Sequence, residues 1–244
     1  MSSNEALNGM VAIVTGGNRG IGRSIALSLA GAGARIALAA RSTDKLDAVR
    51  SEIGDAGGEA TSFPTDVSEE SQVAGLVESV ADHFGRLDIL VNNAGTGFFG
   101  PLEESTTSQW DDIMTVNARG PYMLCREAIP HLRKQELSFI VNIGSVVSVK
   151  GYPDQAAYSA SKHALLGMSK ALAKEVQKDN IRVHAVCPGG VHTEFVTNAR
   201  PDLDTSVLIH PDDIADIVLF LVTRRGNCVI DEIYVRRAAS TPWA

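Results

Sequence analysis

Two hydrophobic patterns alternate along the chain. Short runs of consecutive aliphatic and small residues lie at Val11–Thr15, Arg35–Ala40, 87–91, Ser138–Ile143 and 182–187, with less apolar runs at Glu59–Pro64 and Glu232–Val235. Strands buried on both faces of a parallel sheet read this way. Between these runs, longer stretches carry apolar residues three and four apart, the spacing of one helical face. They cover 24–30, 43–53, 68–84, 109–133, 155–178 and 210–222, and in 68–84 Val73, Leu76, Val77 and Val80 form a single stripe. Ser42 stands where a cap is wanted, while Pro211, Asp212 and Asp213 place proline and acids in the first turn of the last helix. Pro121 and Pro130 fall inside 109–133 and predict a kink or an earlier end there. Strands alternating with helices imply right-handed βαβ units. The fold class is therefore α/β, a doubly wound parallel sheet of about seven strands with helices on both faces. No linker or low-complexity stretch interrupts it, so 1–244 reads as one domain, with 1–8 as a flexible polar tail.

The ends of the expected strands carry the polar punctuation. The first strand runs into Gly16-Gly-Asn18-Arg19-Gly20-Ile21-Gly22 and then into a helix. In that context glycines let the backbone approach a pyrophosphate, and the helix N-terminus stabilises the anion. The second strand closes on Ala40-Arg41-Ser42, with no acid to bind a ribose 2′-hydroxyl. Arg41, with Arg19 as a second positive charge, suits an extra phosphate, so NADP(H) is favoured over NAD(H). Further along, Asp66-Val67 follows the third strand and Asn92-Asn93-Ala94-Gly95 ends the fourth, where side-chain amides can tie neighbouring strands beside a ligand. Ser145 sits at the end of the fifth strand, and Pro188-Gly189-Gly190-Val191 with Thr193 at the end of the sixth. Phe98, Phe99 and Pro101 form a candidate wall of a substrate pocket, with packed loop aromatics as the equal alternative. The segment 191–209 reads as irregular, and 190–210 as a substrate-covering stretch.

One pair offers reaction chemistry. Tyr158 and Lys162 lie four apart within an expected helix and so project from one face. An ammonium beside a phenol favours the phenolate, which makes the tyrosine a tunable proton donor.

Composition narrows the partners. The 244 residues carry a formal charge of −7, and the basic residues are scattered, which disfavours nucleic acid and anionic membrane surfaces. Cys125, Cys187 and Cys228 lack metal-ligand spacing and read as reduced, packed thiols, with no metal expected. The polar N-terminus lacks the apolar core of a signal peptide, and no apolar run approaches the ~20 residues of a membrane span, so a cytoplasmic location is expected.

Taken together, Thr15 to Gly22, Asp66, Asn92 to Gly95, Asn117, Ser145, Tyr158, Lys162, Pro188, Gly189 and Thr193 resemble, in order and interval, the short-chain dehydrogenase/reductase family with its Rossmann-like single domain. Within that family the chain resembles 3-oxoacyl-carrier-protein reductases and related carbonyl reductases. The resemblance implies hydride transfer between a nicotinamide and a carbonyl or secondary alcohol. Tyr158 would be the general acid/base, Lys162 would depress its pKa and bind the nicotinamide ribose, and Ser145 would hold the substrate oxygen, Ser148 being its competitor. Asn117 would bind a water linking Lys162 to solvent. Gly16, Gly20 and Gly22 would line the pyrophosphate, with Asn18, Arg19 and Ile21 beside them; Asp66 and Val67 would lie at the adenine, and Asn93, Ala94 and Gly95 near the ribose. Pro188, Gly189, Val191 and Thr193 would touch the nicotinamide. Phe195, Tyr152, His192 and Arg200 are candidate substrate contacts.

Two departures from the family pattern stand out. Residues 230–237 read Ile-Asp-Glu-Ile-Tyr-Val-Arg-Arg in place of a Val-Asp-Gly-Gly type of ending, where relatives build subunit contacts, and 194–209 is short for a covering loop. A homo-oligomer, dimer or tetramer, is still expected, with a more open pocket or one completed by a partner. The alternatives are an NAD(H)-dependent alcohol or polyol dehydrogenase of the same family, a non-catalytic dinucleotide-binding regulator, and a sugar-nucleotide epimerase or dehydratase, for which the stretch after Cys187 is too short.

Overall fold

The computed structural model describes residues 6–199 and 203–242. Seven strands form one parallel sheet: β1 (Val11–Thr15), β2 (Arg35–Ala40), β3 (Glu59–Pro64), β4 (Ile89–Asn92), β5 (Ser138–Ile143), β6 (Ile181–Pro188) and β7 (Glu232–Val235), in the order β3-β2-β1-β4-β5-β6-β7. The order reverses between β1 and β4. Crossovers there leave in opposite directions and open a crevice at the carboxyl ends of the strands, where ligands of open α/β sheets bind.

The consecutive apolar residues of the strands serve two cores. In β1, Ala12 and Val14 face α1 (Gly20–Gly31), α2 (Thr43–Asp55) and α8 (Pro211–Thr223), joining Ile25, Leu29, Leu46, Val49, Ile214 and Val218. Val11 and Ile13 point the other way, toward α3 (Glu70–Phe84), α5 (Gly120–Leu132) and α6 (Ala156–Val176), among Val73, Leu76, Val77, Met123, Leu132 and Leu172. All five β1 residues are buried, as a strand covered on both faces must be.

Two local expectations are corrected, and the interruption expected in 109–133 is located. Leu7, placed in the tail, is fully buried, and its N–H donates to the Ala32 carbonyl at 2.9 Å, because its side chain is needed under α1. The expected helix 109–133 is broken into α4 (Thr107–Met114), a π-helical turn at Thr115–Arg119, and α5, whose second residue is Pro121. Proline has no N–H for the preceding helix, so the chain widens by one turn just before it; Pro130 is accommodated inside α5. The segment 191–209 is not wholly irregular. Val191 and Ile209 bridge in parallel, and α7 (Glu194–Ala199) lies between them, too short to show a periodicity.

A buried carboxylate clasps the amino ends of β1 and β4. Asp88, 1% exposed, accepts the Val11 N–H at 2.8 Å and the Arg86 guanidinium at 2.6 and 2.8 Å. Replacing it strands a buried N–H and a cation together. Asp88→Ala is expected to lower stability by about 2–3 kcal/mol, read as a shift in the urea midpoint with an unchanged slope; an unshifted midpoint would show that the clasp contributes nothing.

Candidate active site

The crevice at the β1/β4 reversal is a cleft of about 780 Å³ lined from the ends of β1 to β6. Its floor is the glycine loop between β1 and α1. Gly16 and Gly20 have φ of 64° and 51°, a backbone conformation that L-residues seldom take. Gly22 is required for space: a Cβ there would stand 2.2 Å from the Gly16 carbonyl oxygen and 2.4 Å from Asn93 Nδ2. The Asn93 amide donates to the Thr15 carbonyl at 2.9 Å, and the Thr15 hydroxyl accepts the N–H groups of Asn93 and Ala94, so β4 holds the loop open. The backbone is thus bare where a pyrophosphate would approach the α1 N-terminus.

Asparagines at the strand ends tie the sheet to α6. Asn92 Nδ2 donates to Asn142 Oδ1 at 2.8 Å, and Asn142 Nδ2 to the Ser169 hydroxyl at 2.7 Å. This ladder sets the height of α6 against β4 and β5. Two turns before Ser169, Lys162 is 4% exposed and its ammonium donates to the Ile143 carbonyl at 2.8 Å, 5.8 Å from the centre of the Tyr158 ring. Ser145 lies in extended backbone; its N–H donates to Ser148 Oγ at 3.1 Å and its hydroxyl accepts from Val147 N at 3.3 Å. Ser148 is committed to that turn, which leaves Ser145 as the serine facing the cleft.

Two aromatic rings close on Tyr158. Phe99, from the loop after β4, and Phe195, from α7, lie with centroids 5.6 and 5.7 Å from it and 5.5 Å from each other. Gly97 permits this, since a Cβ there would stand 3.0 Å from Phe99 and 3.1 Å from Phe195. Burial pushes the Tyr158 phenol up to about 12, with a hydrogen bond to the Ser145 side chain pulling the other way. Burial likewise brings Lys162 down to about 8. Burial thus acts on the phenol in the direction opposite to the depression expected from the lysine, whose ammonium lies 5.8 Å from the centre of the ring.

At the far end of the cleft, Arg41 is largely exposed with its guanidinium 4.0 Å from the Asp66 carboxylate. Burial acts to raise Asp66, but hydrogen bonds from the Ser68 hydroxyl and amide, with Arg41, hold it below its ordinary value. Arg19 forms an ion pair with Glu194 of α7.

Residues 10–204 match the family model for short chain dehydrogenases. A 3-oxoacyl-[acyl-carrier-protein] reductase of Bos taurus is 40% identical over 193 residues, 79% of this chain and 80% of that protein. The chain belongs to the short-chain dehydrogenase family. Among solved structures, a metagenomic short-chain oxidoreductase in complex with NADP is 41% identical with a TM-score of 0.85, covering 95% of this chain and 99% of that one. A 3-ketoacyl-(acyl-carrier-protein) reductase of Brucella melitensis complexed with NADH is 33% identical with a TM-score of 0.86, covering 94% and 98%. The protein is accordingly an oxidoreductase that acts between carbonyl and alcohol with a nicotinamide cofactor.

Within this short-chain dehydrogenase, every catalytic and cofactor-binding residue expected on sequence grounds lines the cleft except Gly22, Asn117 and Gly189, and of the candidate wall Phe99 packs on Tyr158 while Phe98 and Pro101 are not in the lining. Gly22 packs one layer beneath, against Gly16 and Asn93. Gly189 turns away, its N–H donating to the Val235 carbonyl at 2.7 Å. Asn117, in the π-helical turn, is buried; its amide donates to Thr96 O at 2.8 Å and Ser161 Oγ at 3.0 Å and accepts from Thr96 N at 2.9 Å. The side chain thus holds the loop after β4. Of the candidate substrate contacts, Phe195 lines the cleft, exposed Tyr152 and His192 do not, and Arg200 lies outside the described residues. Cys125 and Cys187 are packed as expected, whereas Cys228 is exposed. Lys45, Thr96 and Glu194 were missed. Lys45 was findable as a cation in the first turn after Arg41; Thr96 and Glu194 carry no signal beyond adjacency to Gly95 and Thr193. Among the described residues no helix is long and apolar enough to cross a membrane, and no group of three or more His, Cys, Asp or Glu could hold a metal ion.

The buried pair has a thermodynamic signature. Lys162 in the folded protein titrates near 8, below its ordinary 10.5, so between these values the unfolded chain binds the extra proton. Stability must rise with pH across that window, the full penalty applying below it. Tyr158 acts oppositely and later: raised from 10.0 to about 12, it costs stability only as pH climbs through that higher range. In urea titrations between about pH 7.5 and pH 10, Lys162→Met is expected to lose the rise that the wild type shows; parallel profiles would mean that Lys162 is not held as a buried cation.

Proposed function

We propose that the protein is an NADP(H)-dependent carbonyl reductase in which Tyr158 delivers the proton. The observation that carries this reading is the state of the Tyr158–Lys162 pair: a phenol at about 12 keeps its proton at neutral pH, beside an ammonium that is still charged below about 8. A protonated donor next to a fixed cation is suited to quenching negative charge that develops on a carbonyl oxygen. A bound reduced nicotinamide supplies the hydride. The Ser145 hydroxyl, facing the cleft next to the phenol, donates to the same oxygen and holds it within reach of Tyr158. Lys162, fixed by Ile143, stabilises charge as the phenol gives up its proton. Asn117 fixes Thr96 and Ser161 and thereby the wall behind Lys162. Phe99 and Phe195 exclude water from the proton transfer.

The glycine cradle fits a dinucleotide, because a Cβ at Gly22 would fill it. Preference for NADP(H) is supported by the absence of an acid at the end of β2 and by three cations, Arg19, Arg41 and Lys45, on the cleft wall there. The similar metagenomic oxidoreductase is in complex with NADP, while the Brucella reductase holds NADH, so direct comparison of the two cofactors belongs in the test. The likeness to 3-oxoacyl-[acyl-carrier-protein] reductases makes 3-oxoacyl thioesters the first substrates to try, followed by small and cyclic ketones.

In a screen with each cofactor, the expected result is faster oxidation of NADPH than of NADH, loss of about a thousandfold in kcat on Tyr158→Phe with NADPH binding retained, and loss of about a hundredfold on Ser145→Ala. Because kcat/KM reports the free enzyme, reduction should decline as pH rises through about 8, where Lys162 loses its charge. Turnover undiminished in Tyr158→Phe would end the proton-donor reading, and a preference for NADH would end the cofactor reading.

A homo-oligomer is part of the same proposal. It is supported by β7, which pairs with β6 alone among the described residues, and by Phe220 and Tyr234, each 46% exposed near that edge. A single monomeric species in sedimentation velocity at micromolar concentration would remove it.

A further inference from the structure

Arg19 caps the amino end of α1, and its guanidinium does not stand free. It donates to the Glu194 carboxylate, which comes from α7 on the opposite wall of the cleft. The two walls also meet beside this ion pair, because a Cβ on Gly20 would stand 3.0 Å from the Thr193 side chain. Hydrogen bonding from Arg19, its charge, and that of Lys45 in the first turn of α2 hold Glu194 below its ordinary value, so it is a full anion at neutral pH. Arg19, Arg41 and Lys45 share this end of the cleft. Two of the three already have an acid within reach, Glu194 for Arg19 and Asp66 for Arg41.

A carboxylate and a phosphate monoester ask the same of a guanidinium, a charge-assisted hydrogen bond to an anionic oxygen. We propose that Glu194 is an internal competitor for the guanidinium of Arg19, so that it lowers affinity selectively for dinucleotides bearing a 2′-phosphate. The proposal rests on the NADP(H) reading above. Glu194 engages Arg19 through Nη1, so a phosphate at that edge displaces it and one at the remaining N–H groups stands beside its negative charge, whereas a dinucleotide with a 2′-hydroxyl meets neither cost. Glu194 therefore narrows the gap between the two cofactors and is a specificity-determining residue of the cofactor site. Both partners are about half exposed, which puts the effect in the range of a surface ion pair and makes it weaken with salt.

The test is direct binding to the full chain, without turnover. NADPH and NADH are titrated by cofactor fluorescence, and adenosine 2′,5′-bisphosphate, which has the phosphate but no nicotinamide, by calorimetry. Wild type, Glu194→Gln, Arg19→Ala and the double variant form a cycle. Glu194→Gln is expected to tighten NADPH and the bisphosphate by about two- to fivefold, to leave NADH unchanged, and to have no effect once Arg19 is alanine. Weaker NADPH binding, an equal change for NADH, no change at all, or the same gain in the Arg19→Ala background would each overturn the competitor. Arg19→Ala separates the two failures. If it weakens NADPH selectively while Glu194→Gln does nothing, only the competitor falls; if it leaves NADPH affinity untouched, the role of Arg19 in NADP(H) binding falls and takes the competitor with it.

Discussion

An ammonium held inside the protein is the constraint around which the cleft is arranged. Lys162 is 4% exposed, and burying its charge is costly unless the protons find acceptors. The Ile143 carbonyl is one such acceptor, at the last residue of β5, so α6 must pass that strand at one height only. The amide ladder from Asn92 through Asn142 to Ser169 sets this height two helical turns away. A side-chain network within the sheet and a charge at its edge are thus solved by a single placement of α6. The cation is depressed to about 8 and the phenol beside it is raised to about 12, both by loss of hydration.

The second feature is that the two walls of the cleft meet at the amino end of α7. Glu194 reaches the glycine loop through Arg19, and the next residue, Phe195, packs on Tyr158 and Phe99. Consecutive residues of one short helix therefore touch the anion-binding end and the proton-donating end of the same crevice. Pocket polarity follows from this: cations converge beyond β2, while rings surround the phenol.

Much of this was legible in the sequence for a physical reason. Strands buried on both faces need uninterrupted apolar runs, so β1, β2 and β5 have the bounds their patterns predict; the less apolar, partly exposed β3 and β7 also have the expected bounds. The polar residues that end those runs lie at the crevice because parallel strands all point their carboxyl ends one way. What escaped depends on contacts between distant segments. Nothing local to Asn117 shows that both atoms of its amide are taken by Thr96 and Ser161, and nothing local to Tyr158 shows that Phe99 and Phe195 dehydrate it. The pairing of Lys162 with Tyr158 is readable from spacing; the effect of burial on the phenol is not. Glu194 became visible only once α7 lay across the cleft.

The π-helical turn at Thr115–Arg119 also makes the length of the chain there critical. Each residue of an α-helix advances the direction of the next by about 100°. Removing one residue from this turn would let α4 and α5 join as a regular helix, with local geometry improved. A π-turn takes up one residue more than an α-turn, so such a deletion would leave Met123, Leu124, Ala128 and Leu132 on the face that now packs on the sheet, and would remove the widened backbone from which Asn117 reaches Thr96 and Ser161. A one-residue deletion that looks like a repair would in this way spare the core helix and cost the anchor for the wall behind Lys162.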